Sequence, residues 1–120
     1  MKIMLCDDDI DIIEVTAMIL EDEGYQVITT INSDLAEQIF YKERPDLLLI
    51  DLWMPGVSGD EVISKLKSDA VVAGIPMIVL SASASGKKIA MACGADAFIA
   101  KPYDIDELVE LIEEHRSRPN

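Results

Sequence analysis

The stretch Leu47-Leu48-Leu49-Ile50-Asp51-Leu52-Trp53-Met54-Pro55-Gly56 decides how the whole chain is read. Four consecutive apolar residues without polar alternation suit a strand covered on both faces, as in a parallel sheet. Pro55 lacks the N–H that a central strand must donate, and Gly56 has no side chain to pack, so the chain turns there. Asp51 is left at the carboxyl end of a buried strand, beside a loop. In open parallel sheets that edge is where ligands and chemistry sit.

Outward from this stretch the same unit recurs. Ile3-Met4-Leu5-Cys6 is a short buried strand running into Asp7-Asp8-Asp9. Asp9 is the best placed of these acids to cap the next helix, whose stripe is Ile13, Ala17 and Leu20, widened by Ile12, Thr16 and Ile19. Gly24 follows the acidic helix end Glu21-Asp22-Glu23, where a left-handed residue belongs. Tyr25 to Thr29 is β-rich and reads as a second strand. Asn32 or Ser33 caps a second helix with an apolar face of Leu35, Ala36, Ile39 and Phe40, stopped by Arg44-Pro45. Beyond the central stretch, Ser58 and Glu61 have capping-box spacing and open a third helix with Val62, Ile63 and Leu66 facing inward. Pro76 to Leu80 is another apolar run, ending at Ser81. After the small-residue loop Ala82 to Gly86, a fourth helix spans roughly Lys87 to Cys93 and ends at Gly94. It is rich in Ala and offers only Ile89 and Met91 as larger anchors, which fits either an element that moves or an ordinary Ala-rich helix. Ala97 to Ala100 is a fifth strand closed by Lys101-Pro102. Asp104 and Glu107 repeat the capping-box spacing before a last stripe of Ile105, Leu108, Val109 and Ile112.

Five strands thus alternate with five helices, and each strand–helix–strand unit is long enough for a right-handed parallel crossover. The expectation is one doubly wound α/β domain over residues 1–120. The net charge of −13 disfavours direct nucleic-acid binding and anionic membranes. No apolar run approaches the roughly 20 residues needed to span a bilayer. The start Met1-Lys2 leads straight into a strand and carries no signal pattern, so a cytoplasmic location is expected. Cys6 and Cys93 have neither metal-ligand nor disulfide-framework spacing and read as small hydrophobes. Only the tail Arg116 to Asn120 looks non-globular.

Reading off the strand ends gives Asp7 and Asp8, then Asp51, Ser81 and Lys101. Singly, each has a bland role as a helix cap, a turn residue or a surface charge. Independent caps and turns have no reason to collect acids, a hydroxyl and an ammonium on one sheet edge. Two like charges ~4 Å apart cost about 4 kcal/mol at an effective dielectric of 20, so such a cluster holds protons or a cation. A set of oxygen ligands without His or Cys suits Mg²⁺. Metal, ammonium and hydroxyl are also what a phosphoryl group in transit requires, which leaves Asp51 as a nucleophile.

These motifs, Leu5-Cys6-Asp7-Asp8-Asp9, Asp51 to Gly59, Leu80-Ser81-Ala82 and Lys101-Pro102, resemble those of the receiver domains of two-component response regulators. The resemblance covers nearly the whole chain. It implies a flavodoxin-like sheet of order 2-1-3-4-5. By position it makes Asp51 the phosphoacceptor and Asp8 the direct Mg²⁺ ligand, with Asp7 acting mainly through water and the Trp53 backbone carbonyl as the third protein ligand. Ser81 matches the switch hydroxyl, Lys101 the phosphate-pairing lysine and Phe98 the switch aromatic, without the hydroxyl of the commoner Tyr. Lys101-Pro102 resembles the family's cis-proline bond. The implied partners are a sensor histidine kinase or phosphotransfer protein and a downstream effector domain or protein. A free-standing receiver and the first part of a longer protein both fit, and homodimerisation fits either. The only tryptophan, Trp53, is a loop hydrophobe or a shield of the phosphoryl group.

Three other functions fit less well. A flavodoxin needs a Ser/Thr/Gly-rich phosphate loop where Asp7-Asp8-Asp9 stands. An aspartyl phosphatase resembles a pattern with a second acid where Trp53 stands. A receiver-like domain that binds partners without phosphorylation has no need of the complete acid, serine and lysine set.

Overall fold

The computed structural model describes residues 1–116; the remainder of the tail, from Ser117 to Asn120, lies outside the described residues. The chain runs β1 (Lys2–Cys6), α1 (Ile10–Asp22), β2 (Gln26–Thr30), a 3₁₀ turn (Ser33–Leu35), α2 (Ala36–Glu43), β3 (Leu47–Asp51), α3 (Gly59–Lys67), β4 (Met77–Ser81), α4 (Gly86–Ala92), β5 (Ala97–Ala100) and α5 (Ile105–Arg116). All strand pairs are parallel, in the order β2-β1-β3-β4-β5. The expected fold is therefore found, a flavodoxin-like doubly wound sheet.

Alternate residues of each strand feed opposite faces. Ile3, Leu5, Leu47, Leu49, Ile78, Leu80 and Ile99 pack with Ile13 and Leu20 of α1 and Leu108 and Ile112 of α5. Met4, Cys6, Leu48, Ile50, Met77 and Val79 pack with Phe40 of α2, Val62, Ile63 and Leu66 of α3, and Ala90 of α4. This two-sided burial is why the central strands read as unbroken apolar runs.

The local signals hold with informative exceptions. Asp9 caps α1 by accepting the Ile12 N–H at 3.2 Å. Gly24 has φ +96°, as the helix end demands. Leu35 belongs to the 3₁₀ turn and is 44% exposed, so the inward face of α2 is Ala36 and Phe40, with Ile39 partly buried. Helix α2 ends in a left-handed Arg44 ahead of Pro45. The Ser58 hydroxyl bonds the Glu61 carboxylate at 3.2 Å and caps no backbone N–H. Among the described residues no helix is long and apolar enough to cross a membrane.

Candidate functional site at the carboxyl edge of the sheet

Strand register builds the site. Cys6 lies opposite Ile50, so the next residues, Asp7 and Asp51, stand side by side where β1 and β3 end. Both follow residues of the α1–α5 face by two positions, Leu5 and Leu49, and so inherit that face. Lys101 follows Ile99 in the same way. Oxygens of Asp7, Asp8 and Asp51 lie within 4.8 Å of one another; Asp7 and Asp51 are buried and Asp8 is exposed. The Lys101 ammonium reaches Asp7 Oδ2 at 2.6 Å and Asp51 Oδ2 at 3.2 Å. Asp7 Oδ1 accepts the Asp9 N–H at 3.0 Å, and Asp51 Oδ1 accepts the Trp53 N–H at 3.3 Å. The Lys101–Pro102 bond is cis.

The electrostatics are those of a frustrated cluster. Burial pushes the Asp51 carboxyl above its ordinary value; Lys101 pulls it down, and Asp7 pushes it further up. For Lys101 burial acts downward, but its pairing with Asp7 and Asp51 prevails and holds the ammonium above its usual range. Asp7 Oδ2 is fully buried, and its close partner is the Lys101 ammonium at 2.6 Å. Three clustered carboxylates, one of them facing solvent, fit a small oxygen-seeking divalent cation.

Ser81 is fully buried, but it follows Val79 and so belongs to the other face, beneath α4. Its hydroxyl accepts the Ser83 N–H at 3.1 Å, and its carbonyl accepts the Lys101 N–H at 2.9 Å. Phe98 is partly buried on the same side. Two glycines, Gly59 of the motif run and Gly86 of the small-residue loop, make close contacts that the sequence reading did not foresee. A Cβ on Gly86 would sit 2.8 Å from Ser81 Cβ and Oγ and 3.0 Å from Phe98 Cε2. A Cβ on Gly59 would collide with the Asp51 carbonyl oxygen. Glycine opening a helix straight after a strand–loop was the available signal for Gly59; nothing local marked Gly86. The pair Thr16 Oγ1 and Tyr103 OH, 2.8 Å apart, was also unforeseen; it ties α1 to the loop that carries Lys101.

Fold and edge chemistry define a class, the flavodoxin-like α/β domains with an acidic carboxyl edge. Within it, the chain belongs to the response regulator receiver domains, whose family model matches residues 3–113. Over 109 residues it is 37% identical to the phosphate regulon transcriptional regulatory protein PhoB of Pseudomonas aeruginosa, covering 89% of this chain and 48% of that protein. The chain thus spans about half the length of that relative. Among solved structures it is similar to a putative response regulator from Chloroflexus aurantiacus, with TM-score 0.92, 27% identity and 98% of each chain covered. It is also similar to the chemotaxis response regulator CheY4 of Vibrio cholerae, with TM-score 0.88, 25% identity, and 95% and 97% covered. The family is one of phosphorelay signalling switches, not of classical enzymes; its members generally use Mg²⁺ and interact with histidine kinases and effector domains.

Proposed function

We propose that this chain is a phosphorelay switch in which Asp51 accepts a phosphoryl group from the phosphohistidine of a histidine kinase or phosphotransfer protein. One observation carries the reading: oxygens of Asp7, Asp8 and Asp51 meet within 4.8 Å while the Lys101 ammonium bridges Asp7 and Asp51. Asp7, Asp8, Asp51 and the Trp53 carbonyl would hold Mg²⁺. When bound, the cation offsets the charge of the acids and of the phosphoryl oxygens.

An Asp51 oxygen attacks phosphorus in line, the phosphorus–nitrogen bond breaks, and the electron pair leaves with the imidazole, which takes a proton from solvent. Lys101, already paired to Asp51 Oδ2, stabilises the charge gathering on the transferred group. The Ser81 hydroxyl exchanges its Ser83 N–H for the phosphoryl oxygen. Crossing toward the Asp51 side, it vacates space that the Phe98 ring enters. Helix α4 follows easily, because it has seven residues and its start has no side-chain cap bond. The altered α4-β5-α5 face then controls an output partner or domain, in the cytoplasm and without direct nucleic-acid contact by this chain.

Intact mass after treatment with acetyl phosphate and Mg²⁺ tests the reading. One phosphoryl gained by the wild type and none by Asp51→Asn is expected. No gain in the folded wild type, or equal gain in both, overturns it.

A further inference from the structure

The loop joining β3 to α3 has its ends fixed by the core: Leu52 donates to the Leu80 carbonyl at 3.0 Å, and Gly59 donates to the Leu52 carbonyl at 3.0 Å. Between them stands an exposed segment containing Trp53, Pro55 and Gly56. Surface segments of this kind are mobile unless their backbone groups are bound. Two ties cross to its middle, and both come from the 3₁₀ turn after β2. The Ser33 hydroxyl donates to the Pro55 carbonyl at 2.9 Å, and Ser33 is 2% exposed. Asp34 Oδ1 accepts the Val57 N–H at 3.1 Å. Gly56, at φ +89°, completes the fit, since a Cβ there would lie 2.6 Å from Asp34 Oδ1. The same turn and loop, with Asp8, line an open pocket of about 410 Å³ beside the acid cluster.

We propose that Ser33 and Asp34 are positioning residues for the divalent cation: they fix the β3–α3 loop, and with it the Trp53 carbonyl, against Asp7, Asp8 and Asp51. This rests on the site reading above and adds two residues outside the motif set. A carbonyl ligand contributes affinity only when its backbone is held before the ion arrives, because ordering it on binding costs conformational entropy. Asp34 acts here through its hydrogen-bonding oxygen, so Asp34→Asn, which keeps an acceptor, retains the function that Asp34→Ala loses.

Two measurements on the purified chain test this. Trp53 is the only tryptophan, and its backbone N–H bonds to Asp51 and so seats the residue beside the acid cluster, which makes its fluorescence the probe for Mg²⁺ titrated alone. Ser33→Ala and Asp34→Ala are each expected to raise the Mg²⁺ dissociation constant about three- to tenfold, the equivalent of one net hydrogen bond, with Asp34→Asn near wild type. In metal-free protein the Val57 amide should exchange faster in Asp34→Ala, a change that a general loss of stability would spread over the whole sheet. If the wild type binds Mg²⁺ and the folded variants titrate as it does, the positioning role is overturned while the site reading stands. If the wild type shows no saturable Mg²⁺ binding, the site reading fails, and this inference with it.

Discussion

Removing the charge of the proposed phosphoacceptor should stabilise the metal-free fold. At an effective dielectric of about 20, the Lys101 ammonium, 3.2 Å away, attracts the Asp51 carboxylate by roughly 5 kcal/mol. The buried Asp7 carboxylate, within 4.8 Å, repels it by at least about 3.5 kcal/mol on the same scale, and exposed Asp8 adds a smaller repulsion screened by solvent. Charge pairing therefore nearly cancels, and the desolvation of a buried ion, several kcal/mol, is left uncompensated. This is the same balance that holds the Asp51 carboxyl above its ordinary value. Asp51→Asn should gain about 1–3 kcal/mol at pH 7.5 in chelator, or roughly 4–12 °C in Tm for a domain of this size. The sign with pH follows from linkage. A carboxyl raised in the folded state contributes stability below its unfolded value, near 4, and loses it as pH rises through the folded value. The advantage of Asp51→Asn should therefore shrink as pH falls toward 4. Mg²⁺ at 100 times its dissociation constant should return about 2.7 kcal/mol to the wild type. Urea denaturation followed by circular dichroism, with and without Mg²⁺, measures all three effects. An Asp51→Asn protein no more stable than wild type in chelator, or a gap that is flat with pH, refutes the electrostatic reasoning.

Further expectations bear on neighbouring parts. Lys101→Met leaves two buried carboxylates without their cation and should cost about 3–5 kcal/mol in chelator by denaturant titration, with partial recovery in Mg²⁺. Trp53→Asn should speed loss of phosphate from the phosphorylated protein, followed by intact mass over time; unchanged or slower decay counts against shielding by the half-exposed ring. Gly86→Ala adds a methyl 2.8 Å from Ser81 Oγ and should destabilise by about 1–3 kcal/mol, with the largest amide shifts in NMR spectra at Ser81 and Phe98. An unperturbed spectrum would mean that the contact is slack.

Periodicity made the fold legible because the sheet is buried on both faces and its crossovers are short. Asp7, Asp51 and Lys101 could be gathered on one edge because each directly follows or ends an apolar run. Strand parity then explains what edge-reading alone missed. Ser81 follows Val79 onto the opposite face, so its hydroxyl bonds Ser83 and not Asp51 in this state. Leu35 looked like part of a helical stripe, but Asn32 accepts the Asp34 N–H at 2.9 Å and sets a 3₁₀ turn that points Leu35 outward. Contacts between distant segments leave no local pattern. Gly86 against Ser81, Thr16 against Tyr103 and Ser33 against Pro55 depend on packing between elements, which spacing along one element does not encode.

One carboxylate, brought beside two others and a lysine by strand register, should take and hold a phosphoryl group. Borohydride reduction of the phosphorylated chain, followed by peptide mapping, locates that group directly, because an acyl phosphate is reduced to the alcohol. Homoserine at position 51 alone is the predicted result. Homoserine at another acid, or none at position 51 in folded protein that has taken up phosphate, would contradict the account.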